Sequence, residues 1–474
     1  MSHPMITNFV DGKETEPVEG DYTDVVDPCT GEVYLSAPAS GSADIDAAMT
    51  AAAAAFDQWR ATTPATRQQA LLGIASALES RQAEFGVAET RDTGSAAAGG
   101  EVALLVDQLR FYAGAARLLG GLGAGEYASS RTSYVRREPV GVCAQLAPWN
   151  FPLLMAVLKS APAIAAGNTV VLKPAEPTPV STLMFAKLAA EFLPPGVLNV
   201  VCGGPATGRL MVRHPTPAMV SLTGSIEAGA DVAAAAAAGI KRLHLELGGN
   251  TPVVVFADAD LRAATEKIIE GAFTNAGQDC TATARVLVAA DVYDEMVDSL
   301  VAAARRSRTG PPSDLAATYG PVVNAAQLAR LEAFVRDLPT HARLLAGGHR
   351  VGDDGYFFAP TVVAGVRQDD EIVQNEIFGP VITVQPFTDE DDAVRLANGV
   401  RQGLASSVWT SDHARAMRMT ARLDFGTVWV NTVLGFPTEL PLGGFKHSGY
   451  GKDLSLYGFE AYTRIKHVMH DLGA

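Results

Sequence analysis

"VGVCAQLAPWNFPLLMAVL", residues 140–158, is the stretch on which the reading of this chain turns. It runs for 19 residues without a charge, close to the length that crosses a bilayer. Pro148, Asn150 and Pro152 stand in its middle, where they would break a spanning helix and strand polar groups in lipid. It therefore reads as a buried strand, a turn and a helix. Apolar runs of strand length recur after it: "NTVVLKP" (168–174), "GVLNVVCG" (196–203) and "AMVSLTGS" (218–225), the last followed by the helical "ADVAAAAAAG" (230–239). Wholly apolar strands alternating with helices predict a doubly wound parallel α/β sheet. In such sheets ligands bind beyond the carboxyl ends of the strands.

Working outward, "KRLHLELGGN" (241–250) sets Leu243, Leu245 and Leu247 against His244 and Glu246, the two-residue period of a strand. It stops at Gly248 and Gly249, and a second α/β stretch opens with "TPVVVF" (251–256), so a domain boundary is expected there. The helix predicted over 258–277 has Leu261, Ala264, Ile268 and Ala272 on one face, with Asp258 or Asp260 to cap its start and Gly277 its end. "NAGQDCTATAR" (275–285) then places Cys280 in a loop before the strand "RVLVAA". Alanine runs at 51–55 and 233–238 fit helix interiors. "EYASSRTSYVRREP" (126–139) alternates like a hairpin reaching out of the body, and "YTRIKHVMH" (462–470) alternates too. Both are expected to be edge strands able to pair with another subunit.

Composition narrows the function. At 474 residues the chain has room for two or three domains of about 150 residues each. Hydrophobic residues make up 48% and charged residues 19%, as in ordinary globular proteins. A net charge of −15 without a basic block argues against a nucleic-acid partner. Cys29, Cys143, Cys202 and Cys280 form no C-x-x-C pair, and the 9 histidines form no H-x-x-x-H or H-E-x-x-H pattern, so no metal site is expected. Reduced thiols suit the cytoplasm, and "MSHPMITNFV" lacks the basic and apolar regions of a signal peptide.

A lone cysteine is ordinarily a small buried hydrophobe. Cys280 has company. "APWNFP" sets Asn150 at the end of an apolar strand and "LKPAE" does the same for Lys173 and Glu176. "SLTGS" holds Gly224 and Ser225 where a strand turns into a helix, "ELGG" ends a strand on Glu246, "EIFGP" holds Glu376 and Phe378, and "PLGGFKHSGYG" follows near the end. This ordered set resembles the aldehyde dehydrogenase superfamily over nearly the whole chain. "RFYAGAAR", "GAGEY", "NAGQDCTA", "GLASSVWT" and "GYGKDLSLYG" are similar to its bacterial gamma-aminobutyraldehyde dehydrogenase branch.

The resemblance implies an α/β fold of that family's type. Residues 1–120 and 140–248 would bind NAD, with 448–462 returning to that domain; 249–447 would be catalytic; 121–139 and 463–474 would be oligomerisation strands. Cys280 would attack the aldehyde carbon, Asn150 and the Cys280 backbone N–H would hold the resulting oxyanion, and Glu246 would activate the water that releases the acid. Lys173 and Glu176 would hold the adenosine ribose, Glu176 favouring NAD over NADP. Gly204 and Gly208 of "GGPATG", with Gly224 and Ser225 at a helix start, would face the pyrophosphate. Pro148, Trp149, Glu376 and Phe378 would place the nicotinamide. The substrate tunnel would be lined by Phe151, Met155, Leu158, Phe436 and Leu442, with Leu158 where many relatives carry tryptophan. Asp279 and Glu439 would attract the ammonium of 4-aminobutanal, an intermediate of putrescine degradation. The blander readings are a turn cap for Asp279 and a solvated Glu439. Neutral aromatic or aliphatic aldehydes are the alternative substrates, and a catalytically retired binding protein is the alternative class. Acyl transfer to coenzyme A is disfavoured by Glu246. The small-molecule aldehyde and copies of the chain itself are the expected partners, as a dimer or a dimer of dimers.

Overall fold

The computed structural model describes residues 3–95 and 98–473, so Met1, Ser2, Ala96, Ala97 and Ala474, which fall within or at the ends of the predicted ranges, lie outside the described residues. The opening stretch folds as a fully buried strand Val142–Leu146 and a helix Pro152–Ala166. Pro152 sits in the first turn of that helix, where its missing N–H costs nothing. Among the described residues no helix is long and apolar enough to cross a membrane.

Val142–Leu146 lies inside an eight-stranded sheet. Its parallel centre runs Leu198–Val200, Thr169–Lys173, Val142–Leu146, Met219–Gly224, Arg242–Leu247. Antiparallel pieces close both sides: Asn8–Val10 and Lys13–Thr15 at one, Gly449–Tyr450 at the other. The chain winds one way from Val142–Leu146 and later returns to its other flank with Met219–Gly224. Their carboxyl ends therefore diverge, and a crevice opens between them. Apolar side chains cover both faces, Leu172, Val170 and Leu198 on one and Ala144, Val171 and Val220 on the other.

Arg242–Leu247 is the last long strand of this sheet. Four residues later Thr251–Val255 starts a seven-stranded sheet, ordered Arg343–Ala346, Thr361–Ala364, Val381–Phe387, Thr283–Ala289, Thr251–Val255, Ala405–Trp409, Thr427–Val430. All its pairings are parallel except that of Arg343–Ala346.

Two expectations need correction. The strands Arg131–Pro139 and Thr463–Asp471 pair with each other, from Thr463 opposite Pro139 to Asp471 opposite Arg131, and Gly125–Ala128 takes the hairpin's other side. Arg131–Pro139 is thus central, and only the two outer strands keep free edges. Second, the helix before Cys280 is Leu261–Phe273 and stops four residues short of Gly277. Asp260 caps it, accepting from the Ala263 N–H at 3.0 Å, while Asp258 instead binds Thr410, Ser411, Asp412 and Arg415.

Candidate active site

After Phe273 the chain tightens into a short turn, Thr274–Gly277, in which Asn275, Ala276 and Gly277 stand at φ of 50°, 57° and 69°. This left-handed run is unfavourable for the two residues that carry a Cβ, by about 1–2 kcal/mol each. A net of amides holds it. Asn275 Nδ2 donates to the Asn150 carbonyl at 2.9 Å, Gln278 Nε2 to the Asn275 carbonyl at 3.0 Å, and the Val323 N–H to Gln278 Oε1 at 2.8 Å. Asn150 Nδ2 donates to the Gln278 carbonyl at 2.9 Å. An amide nitrogen has two hydrogens, so one N–H of Asn150 remains for a ligand. Gly249 fixes the other side of the loop: a Cβ there would lie 2.0 Å from the Cys280 carbonyl oxygen.

Cys280 is half-buried on the wall of a cavity of about 800 Å³ beyond the carboxyl ends of the first sheet's strands. Asn150 and Glu246 share that wall. Burial pushes the Cys280 thiol well above the ordinary cysteine range, and the charges of Asp279, Glu376 and Glu246 push the same way. Burial lifts the Glu246 carboxyl to about 7; His244 opposes this and Asp453 reinforces it. Glu376 is also lifted to about 7 by burial, against the Gly249 N–H that its Oε1 accepts at 2.9 Å. Phe378, at φ 56°, meets Trp149 edge to face at 5.2 Å between ring centres.

Most of the predicted residues come together. Pro148, Trp149, Gly224, Ser225, Glu376 and Phe378 line the same cavity, as do Phe151, Met155, Leu158, Phe436 and Leu442. Ser225 caps the helix Ile226–Ala237, its Oγ accepting from the Ala228 N–H at 3.1 Å. Thr223 Oγ1 lies buried on this wall with no hydrogen-bond partner among the described residues.

Lys173, Glu176, Gly204 and Gly208 lie outside this cavity and form their own cluster. Lys173 Nζ donates to the carbonyls of Pro174 and Gly203 at 2.8 and 2.7 Å, and burial lowers its ammonium to about 8. Glu176 accepts from Thr23 Oγ1 at 3.0 Å. A Cβ on Gly204 would stand 2.9 Å from Glu176 Oε2, and one on Gly208 would stand 3.5 Å from Lys173 Cε. Bare backbone is what keeps this surface open.

The two predicted tunnel carboxylates fare differently. Asp279 lines the cavity, and its Oδ1 accepts from the Thr281 N–H and hydroxyl at 2.7 Å each, so it is a turn cap as well. Glu439 is exposed and lies off the cavity wall, because its neighbour Thr438 is the residue that turns inward, onto Asp107 at 2.8 Å. That assignment is corrected.

Sequence reasoning passed over Glu101 and Gln108. With Leu104 they form one face of the helix Ala98–Ala115 and line the cavity beside Asp279. The i, i+3, i+7 spacing was the available signal. Gln327 and Arg330 were also missed: they donate to the backbone carbonyls of 376–378 and so hold the Glu376 and Phe378 loop. His244, Glu246 and Asp453 bring ligand atoms within 4.8 Å of one another, a trio that could hold a cation. The ammonium charges of Lys159 and Lys452 already act on these carboxylates, which leaves little negative charge for a metal ion.

Residues 15–468 match the aldehyde dehydrogenase family. Among solved structures, the chain is similar to an NAD-dependent aldehyde dehydrogenase from Sinorhizobium meliloti, with 37% identity, 99% of this chain and 95% of that one covered, and a TM-score of 0.97. A mutant betaine aldehyde dehydrogenase from Staphylococcus aureus in complex with NAD+ is 32% identical, with 99% and 96% covered and a TM-score of 0.97. A mutant aldehyde dehydrogenase from Bacillus cereus is 35% identical, with 99% and 97% covered and a TM-score of 0.96.

Proposed function

The chain belongs to the aldehyde dehydrogenase family, and from that premise we propose that it oxidises an aminoaldehyde, 4-aminobutanal or a near relative, to the carboxylic acid with NAD. Cys280, as thiolate, attacks the aldehyde carbon to give a thiohemiacetal. The free N–H of Asn150 and the backbone N–H of Cys280 hold the oxyanion, at about 3–4 kcal/mol per donor. Bound NAD supplies the hydride acceptor that lets this adduct become a thioester. Glu246, with its carboxyl near neutrality, takes a proton from the water that hydrolyses the thioester.

The residues present suit that cofactor. The unpartnered Thr223 hydroxyl, the bare Gly224 and the start of Ile226–Ala237 offer donors to a pyrophosphate. Lys173 and Glu176, with Gly204 and Gly208, would take the adenosine ribose, and a carboxylate at Glu176 repels a 2′-phosphate. Pro148, Trp149, Glu376 and Phe378 would flank the nicotinamide. In this reading the first sheet is the cofactor-binding unit and the second carries the nucleophile.

The observation that carries the substrate assignment is one wall of the cavity. Glu101, Asp279 and Gln108 lie together there, and Gln108 Oε1 is buried without a donor among the described residues. Burial holds the Glu101 carboxyl well above its usual range, with Glu89 and Asp279 adding repulsion. A primary ammonium would supply the missing donors and the countercharge at once. The cavity's two arginines are committed elsewhere, Arg330 to the carbonyls of Glu376 and Ile377, Arg401 to Glu227 at 3.0 Å. A quaternary ammonium, as in betaine aldehyde, has no N–H for these acceptors, so a primary amine fits better. The apolar Leu158, Met155 and Phe436 on the remaining wall support a second reading, a neutral aldehyde. NADH formation with 4-aminobutanal and with pentanal separates the two. A kcat/KM ratio of tenfold or more for the amine, about 1.4 kcal/mol, is expected; a ratio at or below one overturns the aminoaldehyde assignment.

The exposed Ile465 and Met469 on the free-edged strand Thr463–Asp471 support assembly as a dimer or dimer of dimers. Truncation at Thr463 is expected to shrink the particle in light scattering. The 4 cysteines, all free, suit the cytoplasm.

A further inference from the structure

His244 and Glu246 are two residues apart on the strand Arg242–Leu247, so both side chains leave the same face. His244 is only 1% exposed. Its Nε2 lies 3.6 Å from Glu246 Oε1 and 3.5 Å from Asp453 Oδ1, and neither Nε2 nor Glu246 Oε1 has a hydrogen-bond partner among the described residues. Its Nδ1 is 3.4 Å from Ser221 Oγ, which accepts from Lys159 Nζ at 3.0 Å. The Tyr462 ring meets it edge to face at 6.4 Å. Gly451 makes room for the ring, since a Cβ there would lie 2.3 Å from His244 Cδ2. The ionisable groups facing this imidazole are therefore Glu246 on its own strand, Asp453 and Lys452 on the C-terminal segment, Lys159 across Ser221, and Tyr462.

With its proton on Nδ1, toward Ser221 Oγ, a neutral His244 leaves Nε2 bare, and the two unpartnered buried atoms that face each other across 3.6 Å are then one proton short of a charge-assisted hydrogen bond. In the ground state neither has a reason to be there: a buried acceptor without a donor costs about 1–3 kcal/mol. Once Glu246 has taken a proton from water, that proton completes the pair. We propose that His244 is a positioning residue for thioester hydrolysis, receiving from Glu246 the proton taken from water and holding it as an imidazolium between Glu246 and Asp453. The inference rests on the reading of Glu246 as the base. In the step, the water O–H bond breaks and an O–C bond forms at the thioester carbon. The C–S electron pair returns to Cys280 as thiolate, and the proton passes from water through Glu246 to His244 Nε2. Nothing is oxidised or reduced. Glu246 is a carboxylate again before the product leaves, and Asp453 balances the new cation.

p-Nitrophenyl acetate isolates this half-reaction on the intact enzyme, because a burst of nitrophenolate reports acylation of Cys280 and the slow phase reports hydrolysis. His244→Gln keeps the size and polarity of the side chain and cannot take up a proton. It is expected to give a full burst and a slow phase reduced tenfold or more, with the acid limb of the slow phase moved to higher pH, since His244 lowers the Glu246 carboxyl. Asp453→Asn is expected to slow the same phase severalfold and move that limb to lower pH, since Asp453 raises the carboxyl. A merely structural role would lower the burst and the slow phase together and leave the limb in place. Glu246→Gln separates the failures. If it leaves hydrolysis unchanged, the reading of Glu246 as base is wrong. If it stops hydrolysis while His244→Gln retains the wild-type slow phase, the proposal for His244 alone is overturned. Should His244→Gln fail to fold, His244→Asn takes its place, and a wild-type slow phase in that variant overturns it.

Discussion

Cys280 and Glu246 face one cavity from supports of opposite kinds. Cys280 sits on irregular backbone: two residues with a Cβ are held in left-handed geometry, and amides of Asn150, Asn275 and Gln278 keep them there. Glu246 sits on a regular strand inside a sheet, where the backbone is relaxed and the tension lies in side chains, a carboxyl and an imidazole buried without full partners. Strain in the backbone places an atom; unmet polarity in the side chains sets where a proton rests. The loop should therefore be sensitive to shape and the strand to charge.

The largest effect tests the loop's purpose. Cys280→Ala is expected to reduce NADH formation to background, a loss of about 10³-fold or more; retained turnover would refute the nucleophile. Gly249→Ala introduces no charge and touches no substrate, yet its Cβ would collide with the Cys280 carbonyl at 2.0 Å. A displacement of about 1 Å costs about 10²-fold, so kcat should fall by that order while the thiol count by titration stays unchanged. An undiminished kcat would show that the loop tolerates a shape change.

Charge alone is read by Asp279→Asn. A raised thiol pKa keeps thiolate scarce at neutral pH, and its fraction grows as pH climbs toward that pKa. Removing a neighbouring negative charge lowers the Cys280 thiol, so alkylation by iodoacetamide at pH 8 should quicken severalfold. The proposed kcat/KM preference for 4-aminobutanal over pentanal should fall in the same variant. A slower alkylation would mean that the Thr281 cap matters more than the charge. The smallest effect is Ala276→Gly. It removes a Cβ from φ 57°, a relief of about 0.5–1 kcal/mol net of glycine's entropy, and also deletes a methyl buried in the second sheet's core, worth about 0.8 kcal/mol, so Tm is expected to stay nearly unchanged. A loss of about 2 kcal/mol or more would show that the left-handed turn is not strained.

How much of this was legible in the sequence follows the same division. The strand and helix of residues 140–158, the change of sheet after Leu247 and the positions of Asn150, Glu246 and Cys280 could be read from apolar periods and strand ends, because local pattern and tertiary packing agree there. The helix end before Cys280 was misplaced because Gly277 carries the usual stop signal, while the actual left-handed run begins on Asn275 and Ala276 under amides from distant segments. Glu439 was expected at the cavity and Glu101 was not, since which face of a loop or helix looks inward is decided by packing. His244 and Asp453 meet only because Gly449–Tyr450 pairs antiparallel with Leu245 and Glu246, a contact across about two hundred residues that no local pattern announces.

That last pairing also orders events during synthesis. The first sheet holds strands made early, from Asn8–Val10 to Arg242–Leu247, but its final strand is Gly449–Tyr450, translated after all seven strands of the second sheet. A nascent chain on the ribosome can thus possess the thiol of Cys280 long before Asp453 arrives beside His244 and Glu246. The surroundings of Glu246 are the last part of the cavity wall to be installed.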